Sequence, residues 1–365
     1  MTTALSMLLA LAMILFGAEL FTNSVEWFGY KLHLGEGAVG SVLAALGTAL
    51  PETAVPVTAI LSAHGSPSAH EVGIGGILGA PFLLVTLGSL IVAISIVLFR
   101  RHSDDAAFVA VQHKAYQRDM TFFLVAYAAS IAVGCIPLAP VHRVAPYVLI
   151  GIYGLFVVVN LRDRATGSAV HDLQPLYLQW KAKHDPSMPM IALQLLCSLA
   201  AIVGGAQLLS SGVEVLAVRL NIPAFVLSAI LIPLATELPE TLNSVVWLGQ
   251  GKDALAIGNV TGAMVFQSTL VPALGISLTP WNLTGDALLT GGLTLTAGAL
   301  TFGLYQLYGR LSPGILVAAS LLYWVLPLQT LAARYALSEL YWFGGGTLVV
   351  LFIWSLRRGV RLSGI

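Results

Sequence analysis

The sequence predicts an all-α fold: a polytopic membrane helical bundle of two inverted repeats of five transmembrane helices, plus one extra C-terminal helix. Three observations carry this. Of 365 residues, 57% are hydrophobic and only 9% charged, where a soluble domain carries about a quarter charged residues. The apolar residues gather in segments of about 20 or more, the length that crosses a bilayer. The third is that the first half of the chain returns, altered, in the second.

Taken in order, the apolar segments fall near 4–28, 37–63, 72–99, 120–139, 143–161, 189–217, 222–249, 254–279, 286–308, 313–332 and 338–357. The first begins almost at the N-terminus without a basic flank, and reads as a retained helix rather than a cleaved signal peptide. The stretch 100–119 is too polar to span and is expected along the interface. The hydrophilic stretch 162–188 divides the halves, so 1–161 is the first repeat, 162–188 a cytoplasmic linker, 189–332 the second repeat, and 333–365 an eleventh span with a cytoplasmic tail. If the spans alternate, 14 of the 17 Lys and Arg fall on one side, leaving Arg143, Arg219 and Arg334 on the other. The positive-inside rule then puts the N-terminus outside and the C-terminus in the cytoplasm.

The repeat is read from paired segments. Gly17-Ala-Glu-Leu-Phe-Thr-Asn-Ser-Val-Glu26 aligns with Gly205-Ala-Gln-Leu-Leu-Ser-Ser-Gly-Val-Glu214, and Ala45-Leu-Gly-Thr-Ala-Leu-Pro-Glu-Thr53 with Pro233-Leu-Ala-Thr-Glu-Leu-Pro-Glu-Thr241, at one offset of 188 residues. Gly75 and Gly79 align with Gly258 and Gly262 once the first copy's loop is allowed five extra residues. Five spans separate corresponding helices, so the second copy enters the membrane in the opposite sense.

A carboxylate beside a helix-breaking proline, deep in hydrocarbon, is costly twice over: the charge is desolvated and the proline frees a backbone carbonyl. Pro51 lacks an N–H for the carbonyl of Gly47, and Pro239 for that of Ala235. Those carbonyls, the Thr48 and Thr236 hydroxyls, and the Glu52 and Glu240 carboxylates form an all-oxygen set. Hard cations such as Ca2+ and Na+ favour that set, whereas softer metals take His or Cys.

These elements resemble the alpha-repeats of the cation/calcium antiporter superfamily, which includes the sodium/calcium exchangers. Each family repeat pairs a Gly-Thr-Ser-Leu-Pro-Glu element with a Gly-Asn-x-x-Gly-Ser-Asn element. Here the first reads Gly47-Thr-Ala-Leu-Pro-Glu52 and Ala235-Thr-Glu-Leu-Pro-Glu240; the second reads Gly75-Gly-Ile-Leu-Gly-Ala80 and Gly258-Asn-Val-Thr-Gly-Ala263. The resemblance implies a secondary antiporter exchanging Ca2+ or a similar cation for Na+ or H+ by alternating access, with the first and sixth helices sliding past a rigid core. It implies Glu52 and Glu240 as central ligands, with oxygens from Thr48 and Thr236 beside them. Several flanking ligands of the family are absent, with Ala49, Ala80, Leu84, Ala263 and Met264 in their places. The alternative is a transport-inactive relative acting as a cation sensor or membrane assembly partner.

Glu237 replaces the family's Ser and lies three residues before Glu240. On a continuous helix both would share a face, and close carboxylates raise each other's proton affinity. Glu237 is thus a proton site or an outer cation ligand, and the lean is to H+ over Na+. The amides of Asn259 and Gln267 are placed within reach of the site, with a plain helix–helix hydrogen bond the other reading for Gln267. Glu26 and Glu214 are expected near the outer face. Trp27, Tyr30, Trp281, Tyr341 and Trp342 read as an interfacial belt, and Cys135 and Cys197 as small buried hydrophobes.

The composition excludes other classes. Net charge is zero and no basic–aromatic patch suggests nucleic acid. No nucleotide-binding motif supports an ATP-driven pump, and no His-bearing triad within a span supports a hydrolase. The expected partners are inorganic cations and membrane lipid, without a cofactor beyond the transported ions; the expected location is a bacterial inner membrane. Oligomeric state is open.

Overall fold

The structure is a computed structural model that describes residues 2–31, 49–62, 67–99, 108–109, 111–163, 174–180, 185–283, 285–335 and 338–363. Its helices are α1 Thr2–Lys31, α2 Leu50–Leu61, α3 Pro67–Leu83, α4 Ser89–Phe99, α5 His113–Cys135, α6 Ala139–Asp163, α7 Met188–Leu220, α8 Ala224–Thr236, α9 Leu238–Gly249, α10 Asp253–Leu278, α11 Gly285–Tyr308, α12 Pro313–Leu321, α13 Val325–Tyr335 and α14 Ser338–Ser363. A single π-helical stretch, Leu84–Gly88, joins α3 to α4 after Pro81 has removed one N–H from the ladder.

Among the described residues eight helical segments are long and apolar enough to cross a bilayer; α8 and α9, bent by 45°, make a ninth if they form one span. These nine cover every predicted span except the second and the eleventh. Of the second, only α2 lies within the described residues; the eleventh is α14, which packs along α12. There Gly314 and Gly359 meet backbone to backbone, and Ser312 Oγ donates to the Gly359 carbonyl at 3.0 Å.

The inversion is visible in which residues touch. Along the α1–α7 contact, Gly212 lies on Met7, Gly205 on Ala10 and Ile14, Gly17 on Ile202, and Asn23 on Gln194. Partner numbers fall along one helix as they rise along the other, so the first spans of the two halves are antiparallel. The linker caps this pair. Asn23 Nδ2 and Trp27 Nε1 donate to the Gln174 carbonyl at 3.4 and 2.8 Å, and the Tyr177 amide donates to Asn23 Oδ1 at 3.2 Å. The Leu178 amide donates to Gln194 Oε1 at 2.8 Å, and Gln194 Nε2 donates to Asn23 Oδ1 at 2.9 Å. Leu176 is buried against Trp27 and Ile191.

Gly75 and Gly79 let α3 approach α8 to backbone distance: a methyl group on Gly79 would run into the Ala229 carbonyl. This is the small-residue contact that drives helix association where lipid is as apolar as the side chains. Two apolar clusters result. One joins α1, α2, α3, α7 and α8 and consists largely of Ala, Val, Leu and Ile. The other fills the space among α3 to α6 and α8 to α13 with Phe82, Phe123, Tyr127, Trp281, Tyr305 and Tyr323.

Four sequence readings need correction. Residues 113–119 belong to α5 rather than to the interface, because their polar groups find partners: His113 Nδ1 meets the Tyr305 hydroxyl at 2.9 Å, and Asp119 accepts from Thr261. Trp281 is fully buried, its Nε1 donating to the Ser130 carbonyl at 2.9 Å, and Trp27 is buried too, so neither is a belt residue. Cys135 and Cys197 are exposed on the outside of the bundle. Glu26 and Glu214 cannot share one face of the membrane, since each lies toward the C-terminal end of its helix and the helices are antiparallel.

Candidate cation-binding site

The two Pro-Glu elements fall at helix starts. Ala49 caps α2, Pro51 occupies the first turn, and Glu52 follows in the same turn. In the second copy α8 ends at Thr236, Glu237 forms the junction, and α9 begins with Leu238-Pro239-Glu240. Proline is tolerated there because first-turn N–H groups have no intrahelical acceptor. In the second copy the spanning path breaks at Glu237. A helix start also carries partial positive charge, which favours an ionised carboxylate in its first turn.

Glu52 is buried, 2% exposed, on a helix that packs against α3, α7 and α10. Glu237 is fully buried, and its Oε1 accepts from Gln267 Nε2 of α10 at 2.7 Å. The Thr241 amide and hydroxyl both donate to the Glu237 carbonyl, at 3.0 and 2.7 Å, closing the junction. Thr236 is buried, and its hydroxyl has no hydrogen-bond partner among the described residues; the same holds for Gln267 Oε1. Ala235 is buried at the end of α8. Asn259 Nδ2 reaches Ser244 Oγ of α9 at 3.5 Å, and Ser244 Oγ donates to the Ala256 carbonyl at 3.3 Å.

The structure therefore brings Glu237 and Gln267 together, on the junction of one broken span and the middle of α10. Glu237 and Glu240 do not lie on one continuous helix, because the chain breaks between α8 and α9, and the shared-face reading is corrected accordingly. Gly47 and Thr48 lie outside the described residues; Glu240 is described in its backbone alone, at the start of α9. Two polar residues were missed from sequence. Ser210 of α7 is buried, its hydroxyl without a hydrogen-bond partner among the described residues; the signal was its place in the duplicated Leu-Leu-Ser-Ser stretch. Asp119 was passed over inside a segment judged too polar to cross. A mostly apolar cleft lined by the π-helical stretch, Tyr116, Met120, Thr261 and Thr301 among others contains none of the candidate residues.

A broken span and buried carboxylates, set in antiparallel halves, define a membrane transporter rather than an enzyme. The family model for the sodium/calcium exchanger protein matches residues 2–162 and 190–357. The chain belongs to that family. It is 22% identical over 310 residues to the putative antiporter CaxA of Alkalimonas amylolytica, covering 83% of this chain and 89% of that one. It is 23% identical over 259 residues to an uncharacterized membrane protein, MJ0091, of Methanocaldococcus jannaschii, covering 71% and 76%. Among solved structures, the H+/Ca2+ exchanger CAX superposes with a TM-score of 0.70 at 16% identity, over 99% of this chain and 91% of that one. The sodium-calcium exchanger NCX_Mj superposes with a TM-score of 0.52 at 19% identity, over 88% and 96%. The fold is thus that of the membrane cation exchangers.

Proposed function

We propose that the chain is a secondary antiporter that exchanges Ca2+, or a similar hard cation, for H+ or Na+ at one alternately exposed site. The observation that carries this reading is the burial of two carboxylates from the two halves, Glu52 in the first turn of α2 and Glu237 at the break between α8 and α9. A desolvated carboxylate in a membrane segment is retained where it meets an ion or a proton. Glu52 and Glu240 are the central ligands; oxygens from Thr48, Thr236, Gly47 and Ala235 complete the set, and Gln267 adds an amide oxygen. The transported cation is cargo, and Glu237 takes the proton.

Glu237 supports H+ as the coupling ion. Its carboxylate sits fully buried beside Gln267, an amide that can donate to the ionised form and accept from the protonated form. Protonation relieves the cost of burying charge when no cation is present. The membrane is taken to be a bacterial inner membrane, with the N-terminus outside and the C-terminus in the cytoplasm, on the distribution of Lys and Arg.

The test is uptake of labelled Ca2+ into proteoliposomes under separately imposed H+ and Na+ gradients. Uptake driven by the H+ gradient is expected. Uptake driven by Na+ at clamped pH would reverse the coupling assignment, and no uptake under either gradient would overturn the exchange reading.

A further inference from the structure

Asp119 is a buried carboxylate that the exchange site does not use. It lies in the second turn of α5, 4% exposed, and both of its oxygens are engaged: Oδ2 accepts from the Thr261 hydroxyl of α10 at 2.8 Å, and Oδ1 accepts from Arg118 Nε at 3.1 Å. Arg118 is itself mostly buried and lies over the Phe156 ring of α6, with Cζ 5.7 Å from the ring centroid. A carboxylate held in this way across a helix pair fixes the axial position of both helices, because an O–H···O⁻ bond is short and directional.

Thr261 belongs to the second copy of the Gly-x-x-x-Gly element, between Gly258 and Gly262; its counterpart in the first copy is Leu78, between Gly75 and Gly79. Leu78 is bonded to the same helix: the Tyr127 hydroxyl of α5 donates to the Leu78 carbonyl at 3.3 Å. One span therefore grips the equivalent position of both repeats, with a neutral phenol on α3 and a carboxylate on α10. On α10, Gln267 lies six residues beyond Thr261, about 9 Å along the axis, and points its amide to Glu237.

We propose that Asp119 is a positioning residue for the exchange site: by holding Thr261 it sets the register of α10 against α5, and so the placement of Gln267 against Glu237. This rests on the exchange reading above. Residues that touch no ligand but bear on a site through packed helices can change its coupling by about 2- to 30-fold.

The experiment measures the Ca2+ dependence of uptake by reconstituted wild type, Asp119→Ala, Thr261→Val, the double variant and Thr261→Ser. Asp119→Ala and Thr261→Val are each expected to raise the apparent KM about threefold or more, with maximal rate held within about twofold. The double variant is expected to be no worse than the worse single one, as for two halves of one contact. Thr261→Ser, which keeps the hydroxyl, is expected to restore the wild-type KM. Should Asp119→Ala not fold, the Thr261→Val and Thr261→Ser pair carries the same comparison. An unchanged KM in Thr261→Val, a fall in maximal rate alone, or additive single effects would overturn the role of Asp119 while leaving the exchange reading intact. A wild-type protein that moves no cation would overturn both.

Discussion

The α1–α7 pair and the aromatic core are packed in different ways. Away from the polar cap at Asn23, Trp27 and Gln194, α1 and α7 contribute Ala10, Ile14, Ala206, Leu209, Val213 and Ala217 to an aliphatic cluster with Val55, Ala59, Val72 and Ile232. Such a seam is smooth, and α1 touches α2 and α8 only lightly compared with its contact along α7. The core is keyed instead. Trp281 fills the space at Gly275 and is hydrogen-bonded to Ser130, Phe82 stacks on Tyr323 at 5.3 Å, and Tyr116 meets Tyr305 edge-on at 4.6 Å. Interlocked side chains have few alternative arrangements, whereas small ones pass each other at low cost. Relative motion is therefore expected along the seam, and Glu52 and Glu237 sit on the helices that border it.

The sharpest way to separate chemistry from packing is to neutralise the two proposed central ligands. Glu52→Gln and Glu240→Gln are each expected to abolish Ca2+ flux in proteoliposomes while the protein still purifies as a monodisperse species; normal transport by either variant would break the site assignment. Next in size comes the contrast in packing. Trp281→Ala in the core should cost about 3–5 kcal/mol of stability, whereas Val213→Ala in the seam removes two methyl groups at about 0.8 kcal/mol each. Denaturant unfolding in detergent micelles measures both, and equal costs would erase the distinction between keyed and smooth.

Gly79→Ala forces α3 and α8 apart at the Ala229 carbonyl, and a loss of about 1–3 kcal/mol is expected from overpacking. Gly154→Ala on α6 meets no atom within 4 Å among the described residues; it is expected to gain about 0.5–1 kcal/mol from helix propensity alone and sets the baseline in the same unfolding assay. The smallest effect belongs to the linker. The Tyr177 hydroxyl donates to Glu19 Oε1 at 2.7 Å, and this bond, with lesser contributions from burial and nearby carboxylates, pushes the phenol up to about 12. A raised pKa means the folded state holds its proton more tightly. The contribution is therefore fully present below the ordinary value of 10.0 and is lost as pH rises through about 12. Tyr177→Phe should therefore lower stability only slightly, at pH below 10.0, and the difference should vanish as pH rises through about 12; the difference in tyrosinate absorbance between the two proteins follows the titration directly.

Much of this was legible in the sequence for identifiable reasons. Apolar runs of bilayer length and the bias of Lys and Arg mark the spans, because lipid offers no water to satisfy a backbone or a charge. The doubled Leu-Pro-Glu marks two helix starts, because proline cannot donate. What escaped depended on tertiary partners. Asp119 makes 113–119 look too polar to span until Thr261 is seen beside it. Trp281 belongs to no belt because Gly275 leaves room for its ring. Glu237 and Gln267 were both singled out, yet their bond depends on the junction between α8 and α9, which no sequence pattern specifies.

The 174–178 segment is covalently part of the stretch leading into α7, but it is fastened chiefly to Asn23 and Trp27 of α1. Two polypeptides produced by a break ahead of Gln174 would therefore each keep one side of a ready-made clasp. Co-expression of the separate fragments is the natural way to ask whether that clasp suffices to reunite them.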